Sequence, residues 1–411
     1  MESMIKERPS GNFKTAITDP PYFFGYQELL GKLISSPFKV RIILGGRRSG
    51  KTSFLRAIEW NFLDPGTNQT IRAFPVFISL QVEQPKGLDN FRYLLISRLR
   101  EAVGRWSKVP VSGLREMYRQ FLGQIKSGEV TVSFLQQLNI KLNIANPDYE
   151  RQLNHDDFRQ ALIATIKELH QMGFEGICFL LDEAEFIVNQ SWSNDAWGYI
   201  RGIKDTDTAL KPFLGFVLSG YRTLKDYHQR VGSPLVDIAE VNWLSPLSNI
   251  EISELISYRA KDEEIPSLPQ KGVNFICEWA GCHPYLTQQM LNQIFDSYIK
   301  SNKFTSTEIL IEDLLEYHDH DFLRWWNFDR KTSEPQEIQK LNDEERVTYL
   351  KLVECRQSND RNLAQMVNLS RQKVSEALDV LLGTGVIRHI KDTRDYEVGA
   401  RLFEEWITRQ K

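Results

Sequence analysis

The sequence predicts an α/β chain with a parallel sheet covered by helices on both faces, followed by a helical region and a small C-terminal unit. Three observations predict it. Short apolar runs at residues 38–44, 74–80, 177–181, 213–218 and, more weakly, 236–241 alternate with segments of helical period, as strands joined by crossover helices do. A glycine pair, Gly45 and Gly46, breaks the first run directly before a helical pattern. Past Leu244 the strand pattern stops and helical segments follow one another.

Composition sets the outer limits. A chain of 411 residues is too long for one core and long enough for two or three. With 41% apolar residues, 11% aromatic and nine Trp, it has the material for filled cores and not the profile of a disordered chain. The net charge of −3 gives no global field toward nucleic acid, so any DNA contact must be local. Cys178, Cys277, Cys282 and Cys355 form no CxxC pair and carry no zinc signature. A reduced compartment fits them. Residues 1–14 are polar and lack the apolar stretch of a signal peptide, and no run of about 18 apolar residues occurs. The expectation is a cytoplasmic protein without a membrane span.

In order along the chain, residues 38–44 alternate and are β-branched, and Phe54, Ile58 and Phe62 then recur every four residues until Asp64, Pro65 and Gly66 stop the helix. A strand at 74–80 and an amphipathic helix at 90–103 follow, then the poorly legible segment 104–155, with one apolar alternation at 130–135. Phe158, Leu162, Ile166 and Leu169 mark a helix at 156–172. Residues 177–181 are continuously apolar, like a strand buried on both faces. Helices are expected at 250–258, 273–279, 284–298 and 306–317, and a polar linker holds Pro335. Beyond it, helices at 344–356, 362–367 and 371–382 precede two strands at 386–390 and 396–398, joined by a charged turn. Three helices and a hairpin resemble a winged helix-turn-helix.

Gly45, Gly46, Arg47, Arg48, Ser49, Gly50, Lys51 and Thr52 match G-x-x-x-x-G-K-[ST], between a strand and a helix as that motif requires. Such a loop turns its amides toward a polyphosphate, and the following helix offers its positive end to the same anion. Lys51 is then placed for the β- and γ-phosphates and the Thr52 hydroxyl for Mg²⁺, with Ser53 next in the helix. For Arg47 and Arg48, phosphate contact, a neighbouring subunit and a solvated position all stand open, the solvated one foremost.

Asp182 and Glu183 end the apolar run at 177–181. Carboxylates at a buried strand tip lose hydration unless they meet a cation or donors. Beside the phosphate loop, Asp182 is the candidate metal ligand and Glu183 the base that polarises water. The competing reading makes Asp182 the cap of a helix at 183–188. Glu185 is a fallback base. At the end of the next strand Ser219 is a candidate γ-phosphate sensor. Arg222 is a sensor, an arginine finger or a partner for a surface carboxylate. Arg201, Arg222 and Arg230 all stand as possible fingers.

Together these motifs resemble the additional-strand (ASCE) P-loop ATPases of the AAA/STAND type, closest to the archaeal-type ATPases and bacterial STAND relatives. Tyr22, Phe24, Gly25, Glu28 and Leu29 resemble the segment that packs by the adenine in that family, with Tyr26 replacing its usual Arg. Gly281, Cys282, His283 and Pro284 resemble the G-x-P lid signature, in which the Pro lies by the nucleotide. Leu244, Pro246 and Leu247 resemble the entry to the lid, and Leu402, Phe403 and Trp406 the tail after the winged helix. The resemblance implies an N-terminal extension at 1–20, a P-loop ATPase domain at 21–244, a helical lid at 245–327, a linker at 328–340 and a winged-helix domain at 341–411. It implies ATP and Mg²⁺ as ligands, a homo-oligomer, and a switch that acts on a separate effector protein. The alternative is a DNA-binding ATPase resembling origin-recognition or transposition-regulator proteins. Arg371, Gln372, Lys373, Lys391 and Arg394 are then the DNA or partner contacts, although Glu376, Asp379, Asp392 and Asp395 balance their charge.

Overall fold

The computed structural model describes residues 17, 22–64, 71–106, 153–304, 306–326, 341–390 and 392–410. The expected linker, most of segment 104–155, the N-terminal extension other than Ile17, and Lys391 lie outside the described residues. Five parallel strands form the central sheet: β1 (Val40–Leu44), β2 (Ala73–Ser79), β3 (Gly176–Asp182), β4 (Leu214–Gly220) and β5 (Ala239–Trp243). Their order is β2-β3-β4-β1-β5, so β4 is inserted between the strand of the glycine loop and the strand of the paired acids. The register aligns Leu44 with Gly220 and Ser79 with Asp182. Strand tips carrying the polar candidates therefore come out at one edge of the sheet.

Two apolar layers hold it. On one face, α1 (Gln27–Ser35) and α2 (Lys51–Leu63) press Leu30, Leu33, Phe54 and Ile58 onto Ile43, Cys178, Leu180 and Val217. On the other face lie α4 (Leu88–Trp106), α5 (His155–Gln171), α7 (Ser193–Thr206) and α8 (Arg222–Gln229), meeting Ile42, Phe179, Leu181 and Phe216. Short α3 (Leu80–Glu83) and α6 (Glu185–Val188) follow the tips of β2 and β3. Alternate residues of each strand thus serve opposite layers. The alternation read at 38–44 does not make a half-exposed strand, because all of β1 is buried. Arg41 is tolerated there, 1% exposed, because its guanidinium donates to the Ser36 carbonyl and hydroxyl and pairs with Glu240.

Four helices follow: α9 (Asn249–Asp262), α10 (Gln270–Ala280), α11 (Pro284–Ser301) and α12 (Thr307–Trp326). Ser248 and Glu251 close a capping box on α9. The C-terminal region has the element order of a winged helix: α13 (Asp343–Cys355), β6 (Gln357–Asn359), α14 (Asp360–Val367), α15 (Arg371–Thr384), β7 (Ile387–His389), β8 (Asp395–Val398) and α16 (Arg401–Arg409). Its sheet has three antiparallel strands, β6-β8-β7, and not the expected two. The winged helix and α9–α12 share one apolar core. Phe403 joins them, with its ring 5.5 Å from Phe322, 5.6 Å from Trp325 and 5.5 Å from Tyr349.

Candidate nucleotide-phosphate site

The loop after β1 has the curvature that its glycines predict. Gly50 sits at φ 93° and Arg48 at φ 65°, so the amides curl inward before α2 begins at Lys51. The Lys51 ammonium lies over this loop, donating to the carbonyls of Gly45 at 2.8 Å and Gly46 at 2.9 Å. Ser49 is buried and its hydroxyl has no hydrogen-bond partner. A buried orphan hydroxyl inside an amide-lined turn fits a polyphosphate.

The acids stand where the strand register puts them. Asp182, 3% exposed, accepts from the Thr52 hydroxyl at 2.7 Å and from the Ser219 hydroxyl. A hydroxyl and a carboxylate in contact at the helix start fit a magnesium ion, an oxygen-seeking cation that keeps several waters. The main-chain N–H of Glu183 donates to both Ser219 Oγ and Asp182 Oδ1 at 3.2 Å. Glu183 itself is left-handed, φ 58°, and Ser79 Oγ donates to its carboxylate at 2.7 Å. The capping reading of Asp182 is overturned, because the helix starts at Glu185 with Ala184 as its cap residue. Glu185 accepts from the Tyr221 N–H. Burial holds its carboxyl above the usual range, with the Lys51 charge pulling the other way.

The other expected contacts fall differently. Arg48 does not face solvent. It pairs with Asp321 of α12 at 2.8 Å and stacks 4.0 Å over the Tyr285 ring. Arg47 is half-buried in the loop. Ser53 accepts from the main chain of Ile17 at 2.8 Å. Tyr22 bonds Asp262 at 3.0 Å, Phe24 packs 5.3 Å from the Tyr258 ring, and Gly25 backs onto Leu247, so all three face the lid helix α9 or its entry. Tyr26 bridges that entry to the loop, donating to the carbonyls of Ser245 at 2.8 Å and Ser49 at 3.3 Å. Pro284 is half-buried at the first position of α11. Its neighbour Tyr285 is the residue that meets Arg48.

The winged helix is in contact with the phosphate loop. The Gly46 N–H donates to the Gly383 carbonyl, near the end of α15, at 2.6 Å. A Cβ on Gly383 would stand 2.2 Å from the Trp243 ring, so only glycine lets α15 approach this closely. Arg222 meets a buried carboxylate of the winged helix, Glu345, at 2.6 Å, and not a surface one. Sequence reasoning missed Glu345, Gly383, Asp321, Tyr285 and Ser79. Only Ser79, a polar residue ending an apolar strand, left a local signal of the kind that marked Ser219.

At the proposed DNA face, Arg371 pairs with Asp360 at 2.6 Å, Lys373 with Glu344 at 2.5 Å, and Gln372 donates to Glu376 at 3.0 Å. Arg394 is exposed on the wing turn. The expected basic group is thus largely matched by carboxylates. Among the described residues no helix is long and apolar enough to cross a membrane.

No family model and no curated protein matches the chain. Solved structures do. The Walker-type ATPase PABY2304 of Pyrococcus abyssi superposes with TM-score 0.56 at 15% identity, covering 96% of this chain and 99% of its own. ORC1 of Aeropyrum pernix, solved with DNA, gives 0.42 at 12% identity over 95% and 94%. The RuvB Holliday junction branch migration motor of Thermotoga maritima gives 0.39 at 12% over 93% and 94%. The first of these carries the likeness of fold, and it runs the length of the chain.

Proposed function

The chain has the fold of the AAA-type P-loop ATPases, and we propose that it is a Mg²⁺-dependent ATPase whose nucleotide state controls a separate partner through its lid and winged helix. Lys51 and the amides of residues 48–53 bind the phosphates. Thr52 and Asp182 hold the metal, with the Ser219 hydroxyl fixing the carboxylate of Asp182. A magnesium ion supplies neutralisation of the charge that builds on the transferring phosphoryl group. Glu183, oriented by Ser79, takes the proton of the attacking water.

The observation that carries the switch is the Gly46 to Gly383 hydrogen bond. It makes a loop that must change its contacts when phosphate binds also a seat for the C-terminal domain. Arg48 to Asp321 and Arg222 to Glu345 tie the same loop and the β4 tip to the lid and winged helix. Phosphate binding competes with these contacts, so the nucleotide favours one arrangement by its differential affinity. Hydrogen exchange at residues 45–50 and 380–386 with ADP and with a non-hydrolysable ATP analogue tests this. Protection that differs between the two nucleotides, and not in Lys51→Ala, supports the switch. Identical protection ends it.

The same reading includes self-assembly. Arg222 is held internally by Glu345, and Arg201 lies between Asp205 and Asp237. Arg230 is exposed, its guanidinium on Asn194 and 4.1 Å over the Tyr227 ring, next to fully exposed Val231. It is the finger we propose for a neighbouring subunit. The DNA reading rests on the exposure of Arg371, 65%, and Lys373, 54%. No shift of duplex DNA at low salt removes it, and a shift lost in Arg371→Glu supports it.

A further inference from the structure

A cleft of about 720 Å³ opens between α11 and α12, far along the lid from the phosphate loop. Gln293, Asp296, Lys300, Asp313, Glu316 and Tyr317 line most of it. We propose that this cleft is a docking groove for a basic amphipathic helix of a separate protein, and the proposal stands apart from the nucleotide chemistry.

Four observations carry it. First, the carboxylates of Asp296, Asp313 and Glu316 face the one lining cation, Lys300, so the groove presents net negative charge. Second, large apolar side chains border it in the open: Ile309 is 57% exposed, Ile299 59%, Tyr317 47% and Leu323 43%. On α12, Ile309, Asp313, Glu316 and Leu323 fall at helical spacing on one stripe, which alternates apolar and acidic side chains. Third, the Gln293 Oε1 that faces this cleft is buried with no hydrogen-bond partner, and a buried acceptor without a donor is costly. Fourth, the neighbouring face of α12 is already in use: Glu312 pairs with Arg409 and Asp319 accepts from Trp406 of α16. The stripe facing the cleft is not taken up by those contacts.

A groove between two packed helices receives a third helix, ridge into groove, with apolar anchors at i, i+3 and i+4. A basic polar face on that helix would meet Asp313 and Glu316, and a Lys, Arg or Asn side chain would satisfy Gln293. The apolar border favours a helix over a small solute, because it extends beyond the cleft itself.

The test uses the full chain and two labelled synthetic helices with the same Leu face, one carrying Lys on its polar face and one Glu, read by fluorescence anisotropy. The Lys helix binds the wild type at least about tenfold more tightly than the Glu helix, and added salt weakens it. Asp313→Lys with Glu316→Lys, and separately Ile309→Ser, each weaken it about tenfold or more while the thermal midpoint stays in place. Hydrogen exchange then shows protection within α11 and α12. The proposal is overturned by equal binding of both helices, by variants that bind as the wild type does, or by protection elsewhere. It is also overturned by a wild type that dimerises in sedimentation and becomes monomeric in Ile309→Ser, since the occupant is then a second copy of the chain.

Discussion

The guanidinium of Arg222 and the carboxylate of Glu345 lie 2.6 Å apart, 12% and 3% exposed, and tie the end of β4 to the first turn of α13. Glu345 has a second duty, accepting from the main-chain N–H of Asn342 at 2.8 Å as part of a capping box. One carboxylate therefore both starts the winged helix and fastens it to the sheet. Glu345→Gln keeps the shape and removes the charge, leaving Arg222 without its counter-ion. Breaking such a pair costs about 3 kcal/mol or more. We expect release of a fluorescent ADP analogue to quicken about tenfold in both Glu345→Gln and Arg222→Ala, measured by stopped flow. The double variant should be no faster than either alone, because both lose the same contact.

Ser79 donates to Glu183 at 2.7 Å from the neighbouring strand. Glu183→Gln should retain ATP binding and lose about a hundredfold to ten-thousandfold in turnover, as loss of a general base does. Ser79→Ala should lower kcat about tenfold with nucleotide affinity unchanged, because it frees the carboxylate without removing it. Single-turnover hydrolysis separates the two. A Ser79→Ala enzyme with weakened binding and normal kcat would contradict the positioning role.

Gly383 lies inside α15, where Ala is the better helix former by about 1 kcal/mol. A Cβ there would stand 2.2 Å from the Trp243 ring. Gly383→Ala should thus strengthen the helix and unseat it from the phosphate loop. The expected result is faster amide exchange at Gly46 with little change around residues 371–380. Unchanged exchange at Gly46 would contradict the seating.

His283 caps α11 through its ring, wholly buried, with Trp325 5.5 Å away. Burial first, then the positive fields of His318 and Arg48, bring its pKa from 6.5 down to about 3. Between those values the unfolded chain binds a proton that the folded chain refuses. Stability from this group is therefore full above pH 6.5 and falls as pH drops through the window, by up to about 1.4 kcal/mol per pH unit. His283→Asn retains a capping side chain and has no proton to bind. Urea midpoints at pH 7 and pH 4.5 should differ less in His283→Asn than in the wild type.

Residues with local duties were legible in the sequence. The glycine loop, Asp182, Glu183 and Ser219 each end or follow an apolar strand, and a strand tip is marked by its neighbours along the chain. Elements with diluted periodicity were not legible. Gly198 and Gly202 thin the pattern of α7, although Ala196, Trp197, Ile200 and Ile203 are its buried stripe. Strand β6 is three polar residues held only by β8. The seat of the winged helix was least legible of all. Gly46 and Gly383 are more than three hundred residues apart in sequence, and neither carries a side chain whose type announces a partner. The solvated reading of Arg48 failed for a related reason, because its counter-charge, Asp321, lies in another domain.

The aromatic cluster around Phe403 has a mechanical consequence. Phe322 and Trp325 come from α12, Tyr349 from α13, and Phe403 and Trp406 from α16. Close-packed rings of this kind do not slide past one another at low cost. The four helices after the sheet and the winged helix therefore form a single stiff arm, pivoting on the short stretch between β5 and α9. A small tilt at Gly383, near that pivot, is magnified toward the far end of the arm, as a short stroke at a fulcrum becomes a long sweep at the tip.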